Sequence, residues 1–361
     1  MISEADKQFM ARALELAGRG LYTTAPNPRV GCVIVRDGVI VGSGWHERAG
    51  GPHAEVNALA EAGSQARGAT VYVTLEPCHH HGRTPPCDDA LVRAGVARVV
   101  AAMRDPNPLV AGAGLERLRK ASIAVEVGAL GEKARELNIG FVSRFERGRP
   151  WLRMKIAASV DGKTALNNGA SRWLTGDEAR VDGQRWRARA CAVLTGIGTV
   201  LADDPQMNVR AVATPRQPLR IVLDSRLRLP VSARVLDDGG VLIVAACEDE
   251  ARIAALREKG AEVVTLPAAS GGIDLRALLA ELARREINEL HVEAGYRLNG
   301  ALLNEGWVDE LLLYYGPMLV GDRALGMAQL PEITDLAAAR RLAITDLCMI
   351  GPDVRMLARI Q

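Results

Sequence analysis

The chain has 361 residues, 48% of them hydrophobic and 24% charged, and its 45 Lys and Arg against 43 Asp and Glu leave a formal net charge of +2. This balance excludes a disordered protein, which would carry fewer apolar residues and more net charge, and it argues against a protein that mainly binds nucleic-acid phosphates. No apolar run approaches the roughly 18 residues of a membrane span, and the N-terminus lacks a signal-peptide pattern, so we expect a cytoplasmic protein without a membrane partner.

The first 146 residues alternate helix and strand signals. Ser3 and Asp6 form a capping pair before a helix with apolar spacing, and two apolar runs joined by Arg36-Asp37-Gly38 indicate a β-hairpin. Further helices are predicted over 54–62, 88–94, 114–121 and 132–145, and further strands over 69–75, 97–103 and 123–128. This alternation is typical of a sheet layered with helices.

A domain boundary is predicted at ERGRPW (146–151), which is charged and contains Gly and Pro. It divides the chain into domains 1–146 and 147–361, as expected for domains of about 100–200 residues. Strands of the second domain are predicted in LRMKIAAS, CAVLTGIG, LRIVLDS, GVLIVAA, AEVVTL, NELHVEAG and DELLLYYGPMLV. The C-terminal segment predicts two strands around a Gly351-Pro352-Asp353 turn.

The six cysteines are spread thinly over the chain, unlike those of a disulfide scaffold. Four lie in apolar runs and are interpreted as small buried hydrophobic residues: Cys32, Cys191, Cys247 and Cys348. Cys78 and Cys87 differ, because they flank the polar, turn-rich loop HHHGRTPP.

A metal site is predicted from His53-Ala54-Glu55 and, one strand later, Pro77-Cys78 and Cys87. One imidazole and two thiolates supply three ligands to a tetrahedral zinc, one ion per chain, and leave the fourth position to water, as in catalytic zinc sites. Glu55, two residues after the histidine, is placed to move protons between that water and a leaving amine. The H-x-E … P-C pattern is typical of zinc deaminases.

The loop between the cysteines departs from the usual P-C-x-x-C spacing, because eight residues separate Cys78 from Cys87. The loop must therefore bulge out and return. The histidines at 79–81 are interpreted as loop or substrate contacts, since three donors and a water already complete the zinc shell. We interpret His46 as a polar residue at a strand end and Glu76 as a partner that steadies the site.

Three further features of the sequence indicate which family of zinc deaminases the chain resembles. They are PNPRVGCVIV (26–35), the extended TLEPCHHHGRTPPC (74–87), and a second domain with MKIAASVDGKTA (154–165), SRWLTG (171–176), TVLADDPQMNVR (199–210), LDSR (223–226) and VEAG (292–295). From about residue 3 to the end, the chain resembles the bifunctional riboflavin-biosynthesis family, in which a diaminohydroxyphosphoribosylaminopyrimidine deaminase is fused to a 5-amino-6-(5-phosphoribosylamino)uracil reductase.

The resemblance implies an α/β protein, with an N-terminal cytidine-deaminase-like three-layer α/β domain and a C-terminal dihydrofolate-reductase-like α/β domain. The first domain would hydrolyse the ring amino group of a diamino-phosphoribosylaminopyrimidinone and release ammonia. The second would reduce the ribosyl group of the product to the ribityl form with NADPH. The expected partners are small phosphoribosylaminopyrimidine substrates and copies of the same chain, in a dimer or tetramer.

The resemblance also implies functional roles for the residues of this chain that match the motifs of the family. In the first domain, His53, Cys78 and Cys87 would hold zinc, Glu55 would be the proton donor and Asn27 would contact the pyrimidine. The residues implied for the reductase substrate are Lys155, Ser171, Arg187, Met207, Arg210 and Glu293. Those implied for the nucleotide are Ala157, Trp173, Thr199, Asp203, Ser225, Gly295, Tyr296, Arg297, Leu298, Asn299, Gly300 and Ala301.

The residues themselves support part of this assignment. Arg187 and Arg210 suit a sugar phosphate, because guanidinium groups bind phosphate oxygens in a bidentate way, although a solvated surface charge is the alternative. Backbone N–H groups after Gly295, at a predicted helix start, suit a pyrophosphate. No G-x-G-x-x-G pattern is complete, so a nicotinamide site here must be of a non-Rossmann type.

Two other functions remain open. One is a nucleic-acid-editing deaminase whose C-terminal half binds RNA, which would require a basic face with aromatic residues. The three Phe and the balanced charge offer that function little support. The other is a deaminase whose second domain only regulates or dimerises.

Overall fold

The computed structural model describes residues 1–79 and 86–361 and divides into two compact units, Met1–Arg149 and Pro150–Gln361. The division lies three residues after the predicted boundary of 146/147 and directly after the last helix of the first unit. Across the described ranges, every helix is too short or too polar to cross a bilayer.

The first unit is a five-stranded sheet with helices on both faces. Its strands are β1 (Gly31–Arg36), β2 (Val39–Trp45), β3 (Thr70–Val73), β4 (Arg98–Ala101) and β5 (Ala124–Val127), in the order β2-β1-β3-β4-β5. Its helices are α1 (Glu4–Gly18), α2 (Ala54–Ala62), α3 (Cys87–Ala94), α4 (Ala113–Lys120), α5 (Gly131–Leu137) and α6 (Ile139–Arg147). The β1–β2 hairpin is confirmed, and the helix predicted over 132–145 is two helices that meet at Asn138.

Alternate residues of each strand face opposite sides of this sheet. One side packs on Met10 and Leu16 of α1, and the other packs on Ala54 and Ala58 of α2 and on Leu91 of α3. The result is the three-layer α/β arrangement that the sequence predicts.

Asp6 ties α1 to the sheet. It completes a capping box with Ser3, whose N–H and hydroxyl donate to its carboxylate over 2.8 and 2.9 Å. It also accepts hydrogen bonds from the Tyr72 hydroxyl at 2.8 Å and from Arg98 Nη1 at 2.7 Å. The bond from Arg98 is the main reason that the pKa of Asp6 lies far below its ordinary value, although burial opposes it.

We expect Asp6→Asn to lower the free energy of unfolding by about 3 kcal/mol at pH 7, because it breaks a largely buried ion pair. The folded-state pKa of Asp6 lies below its unfolded value of about 3.9. Its contribution is therefore complete above that value and is lost as the pH falls towards the folded-state pKa. Urea unfolding of both proteins at pH 7 and pH 3 should show a smaller difference at the lower pH, and a pH-independent difference would contradict the charge argument.

The second unit is built on a nine-stranded sheet. Its strands, with two short strands that pair separately, are β6 (Trp151–Ser159), β7 (Lys163–Ala165), β8 (Ala192–Gly196), β9 (Leu219–Leu223), β10 (Val241–Ala245), β11 (Ala261–Thr265), β12 (Glu289–Val292), β13 (Glu310–Gly316), β14 (Leu325–Gly326), β15 (Leu342–Ile350) and β16 (Asp353–Ile360). Its helices are α7 (Asp177–Arg189), α8 (Ile197–Asp203), α9 (Glu250–Glu258), α10 (Leu275–Arg284) and α11 (Tyr296–Asn304).

The strand order is β11-β10-β9-β8-β12-β6-β13-β16-β15, and β7 pairs with β14. The first seven strands of this order are parallel, and the predicted C-terminal hairpin β15–β16 adds an antiparallel edge. The parallel strands read as continuous apolar runs because both of their faces are covered. Leu278 and Leu282 of α10 pack on one face, and Leu256 of α9 packs on the other.

The prediction for four of the cysteines is only partly right. Cys32 is fully buried, whereas the other three are partly accessible: Cys191, Cys247 and Cys348. Cys348 lies on β15, whose outer edge has no neighbouring strand among the described residues. An apolar run therefore predicted the strand but not how deeply it is buried.

Candidate metal centre and a second cavity

The three predicted metal ligands lie together at one end of the first sheet. His53 is the N-cap of α2, Cys87 is the first residue of α3, and Cys78 follows β3. Their ligand atoms all lie within 4.8 Å of one another. His53 Nδ1 is 3.0 Å from Cys87 Sγ and 3.5 Å from Cys78 Sγ.

This donor set fits a zinc ion. Tetrahedral zinc with Zn–S of about 2.3 Å and Zn–N of about 2.0 Å has its ligand atoms roughly 3.5–3.8 Å apart, close to the spacing observed here. Cys87 is buried, while His53 and Cys78 are partly accessible, which leaves one side of the cluster open. Because α2 and α3 both begin at the cluster, their positive N-terminal ends favour thiolates there.

The two thiols titrate as a pair. The hydrogen bond from Cys87 is the largest cause that lowers the pKa of Cys78 to about 4, and burial opposes it. Conversely, that bond and burial raise the pKa of Cys87 above its ordinary value. The hydrogen bond with Cys78 also raises the pKa of His53. The pair therefore already carries one thiolate near neutral pH, as a metal ligand requires.

Glu55 lies in the first turn of α2, directly beside the ligands, and is 3% exposed. Burial, followed by the negative charge of Cys78, raises the pKa of Glu55 to about 7. A carboxyl group with such a pKa can both accept and donate a proton at neutral pH. The arrangement can therefore hold a cation and exchange protons next to it.

A second histidine, His46, belongs to this site, although the sequence predicts only a polar residue at a strand end. His46 follows β2, as expected, but it is buried, and its Nε2 lies 3.1 Å from Asn27 Nδ2. Its Nδ1 lies 3.0 Å from the carbonyl oxygen of Pro52, and its ring packs edge-on against His53 with centroids 5.4 Å apart. Burial lowers the pKa of His46. Asn27 is therefore connected to His53 of the metal cluster through His46, whose imidazole is neutral.

The long cysteine loop is closed by contacts at its two ends. His79 Nδ1 lies 2.6 Å from Asp88 Oδ2, and the N–H of Asp88 donates to the carbonyl of Cys78 at 3.3 Å. His79 is thus a loop contact, as predicted. His80 and His81 lie outside the described residues.

Asn138 holds the segment that carries Asn27. Its side chain accepts from the N–H of Arg29 at 2.8 Å and donates to the carbonyl of Arg29 at 2.9 Å. The two residues are 109 positions apart, so no local sequence signal indicates this contact.

The second unit contains a cavity of about 490 Å³. Ten of the predicted reductase residues line it: Lys155, Ala157, Ser171, Trp173, Arg187, Thr199, Asp203, Met207, Arg210 and Glu293. The structure thus brings together side chains from β6, α7, α8 and the segment after β12.

A buried ion cluster forms one wall of the cavity. Arg187 donates to both carboxylate oxygens of Glu293, with Nη2 at 2.9 Å from Oε2, and its Nη1 donates to the carbonyl of Asn208 at 2.9 Å. Lys155 Nζ is 4.0 Å from Glu293. Burial alone would raise the pKa of Glu293, but the charges and hydrogen bonds of its neighbours hold it well below the ordinary value. Burial lowers the pKa of Lys155.

Cationic side chains outnumber acidic ones in the lining. They are Lys155, Arg172, Arg180, Arg187, Arg210 and Arg234, against Asp203, Asp204 and Glu293. Such an excess favours an anionic ligand, and arginine in particular suits phosphate oxygens.

The remaining predicted nucleotide contacts lie outside this lining. Ser225 follows β9, and its carbonyl accepts from the N–H of Ala246 at 3.1 Å. Gly295 is the N-cap of α11, and residues 296–301 form the first part of that helix. A Cβ at Gly295 would lie 3.8 Å from Thr199 Oγ1, so the beginnings of α8 and α11 are adjacent.

Two family models cover most of the chain. Residues 3–103 match the zinc-binding region of cytidine and deoxycytidylate deaminases, and residues 150–356 match the RibD C-terminal domain. The chain belongs to the RibD family. The RibD riboflavin biosynthesis protein of Escherichia coli K12 is 48% identical, in an alignment that covers 97% of this chain and 98% of that one. The RibD protein of Haemophilus influenzae is 46% identical, with 98% and 97% covered.

Solved RibD structures share the fold over the whole chain. RibD of Acinetobacter baumannii, form 1, is 44% identical with a TM-score of 0.93, and 99% of each chain is covered. The deaminase/reductase of Thermotoga maritima is 33% identical with a TM-score of 0.86 and the same coverage. These similarities confirm the predicted family and fold class. The chain is a bifunctional deaminase and reductase of riboflavin biosynthesis, and an RNA-binding second half is not supported.

Proposed function

We propose that the first unit hydrolyses the ring amino group of 2,5-diamino-6-(5-phosphoribosylamino)pyrimidin-4(3H)-one with one zinc ion held by His53, Cys78 and Cys87. The observation that carries this proposal is the cluster of these three donors beside the buried Glu55. When bound, zinc would act as a Lewis acid that activates water. Water then replaces the amino group, which leaves as ammonia.

The other residues of the site bind the ring and move protons. Glu55 takes a proton from the attacking water and delivers it to a ring nitrogen. It then takes the proton of the resulting hydroxyl and delivers it to the amino group, which leaves as ammonia. Asn27 offers an amide to the pyrimidine, and its bond with His46 restricts the rotation of that amide. Positioned proton transfer of this kind contributes about 100–10,000-fold to a rate.

The second unit, in this proposal, reduces the ribosyl group of 5-amino-6-(5-phosphoribosylamino)uracil to the ribityl form. NADPH would supply a hydride to C1′ of the sugar, while the C1′–O4′ bond breaks and O4′ takes up a proton from solvent, which opens the ring. Arg187 and Arg210 bind the substrate phosphate, and Lys155 and Glu293 lie at the same cavity wall to orient the sugar. Ser171 and Met207 complete the proposed substrate contacts.

The nucleotide site would lie beside this cavity. The adjacent N-termini of α8 and α11 present backbone N–H groups that suit a pyrophosphate. The proposed nucleotide contacts are Ala157, Trp173, Thr199, Asp203, Ser225 and residues 295–301. The homo-oligomer, a dimer or tetramer, stays a prediction, and exposed apolar side chains on the edge strand β15 support it: Ile344, Leu347 and Met349.

A coupled assay tests both halves of the proposal. With the full chain and the diaminopyrimidine phosphoriboside, we expect ammonia release followed by oxidation of NADPH. Removal of zinc with a chelator should stop ammonia release, while NADPH oxidation with supplied deaminated intermediate continues, because the two clusters belong to different units. Full deamination without stoichiometric zinc would contradict the metal site. A lack of saturable NADPH binding would instead contradict the proposed nucleotide cofactor of the second unit.

A further inference from the structure

Glu76 is a buried carboxylate next to the metal cluster. It lies two residues before Cys78, is 3% exposed and accepts hydrogen bonds from three backbone N–H groups. Oε2 accepts from Asp105 at 3.2 Å and from Gly112 at 3.0 Å, and Oε1 accepts from Leu115 at 3.3 Å. These donors lie 29–39 residues away along the chain, so Glu76 connects distant segments.

Two of the three donors belong to the start of α4, whose N-cap is Gly112. A carboxylate is favoured there, because the first N–H groups of a helix lack partners within the helix and its N-terminal end is positive. The third donor, Asp105, lies in the segment that leads to α4. Glu76 thus binds both the helix start and the chain before it.

The chain next to Glu76 packs against α4 without spare room. A Cβ added at Gly114 would lie 2.0 Å from the carbonyl oxygen of Pro77, so helix and chain are in direct contact. The N–H of Glu76 also donates to the carbonyl of Met103 at 3.0 Å. Both the backbone and the side chain of Glu76 therefore hold the chain just before Cys78, beyond the last residue of β3.

We propose that Glu76 is a positioning residue for the metal centre: its bonds to the start of α4 fix the backbone that places the Cys78 thiolate. This proposal rests on the zinc site proposed above. Glutamine at this position would keep the size of the side chain, but it would turn an NH2 group towards N–H donors that need an acceptor. The chain just before Cys78 would then shift, and the Cys78 thiolate would bind the metal more weakly.

Asp6 provides a matched control. It is another 3% exposed carboxylate of the same unit that caps a helix start, but its partners are Ser3, Tyr72 and Arg98 rather than the chain beside the ligands. Asp6→Asn should lower stability and leave zinc affinity at the wild-type value. A comparison with Glu76→Gln therefore separates positioning of the ligand from general loss of stability.

The test is competition for zinc between the full chain and a chromophoric chelator, with thermal unfolding measured in parallel. We expect Glu76→Gln to weaken zinc binding by about 10–100-fold, the usual effect of losing a group that orients a ligand. If this variant does not fold, Glu76→Asp, which keeps the charge on a shorter side chain, should show a weaker loss of the same kind. Cobalt-substituted protein should show changed thiolate-to-metal absorption in the variant.

The outcomes distinguish the two proposals. Wild-type zinc affinity and cobalt spectrum in folded Glu76→Gln would overturn the positioning role and leave the zinc site intact. Equal losses of affinity in Glu76→Gln and Asp6→Asn would also overturn it, because stability alone would then explain the effect. A wild-type chain that binds no zinc would overturn the proposed metal site itself.

Discussion

Glu55→Gln is expected to abolish deamination and leave the reduction of supplied deaminated intermediate unchanged. Glutamine keeps the shape of the side chain but cannot carry a proton between water and the leaving amine. Loss of positioned acid–base catalysis costs about 100–10,000-fold in rate. The described residues that line the reductase cavity belong to the second unit, so we expect its chemistry not to depend on Glu55. Ammonia release and NADPH absorbance, followed in the same preparation, measure both effects.

Glu61→Gln is the control on the same helix. Glu61 lies on α2 but is exposed, and its carboxylate accepts from the N–H and the hydroxyl of Ser43, each at 2.9 Å. This variant should retain both activities. If Glu55→Gln also loses reduction, the two domains are not chemically independent. If it retains deamination, Glu55 is not the proton carrier.

Arg187→Lys is expected to lower the rate of reduction by about 100-fold and to leave deamination unchanged. Lysine keeps the charge, but it cannot bond both oxygens of Glu293 and the carbonyl of Asn208 at once, as the guanidinium does. Each lost charge-assisted bond is worth about 1.5–3 kcal/mol, and about 1.4 kcal/mol corresponds to a tenfold change in rate. Steady-state kinetics with the deaminated intermediate and NADPH measure the change.

Arg185→Lys is the matched control for this variant. Arg185 lies on the same helix two residues earlier, but its side chain is 57% exposed and its nearest carboxylate, that of Asp182, is 3.7 Å away. Exposed ion pairs contribute about 0–1 kcal/mol, so reduction should stay close to the wild-type rate. Equal losses in both variants would show that helix α7, rather than the Arg187–Glu293 pair, is what matters.

Local patterns in the sequence predicted most of the elements and the three donor residues that the structure brings together. The start of α1 follows from Ser3 and Asp6, because a capping box involves residues three positions apart. The β1–β2 hairpin follows from its turn residues, and His53, Cys78 and Cys87 follow from ligand type and spacing. Motifs shared with the RibD family then indicated both activities, since each motif is a short continuous segment.

Contacts between distant segments could not be predicted in this way. Glu293 pairs with Arg187 across 106 positions, Asn138 holds the Arg29 backbone across 109, and Glu76 reaches the start of α4. The order of strands in each sheet brings these partners together, and hydrophobic burial drives that assembly without reference to any one polar pair. Short-range backbone preferences therefore specify where helices, turns and ligands lie along the chain. Assembly of the sheets buries and pairs the charged groups. It thereby determines which carboxyl groups keep a proton and which accept hydrogen bonds that fix a neighbouring segment.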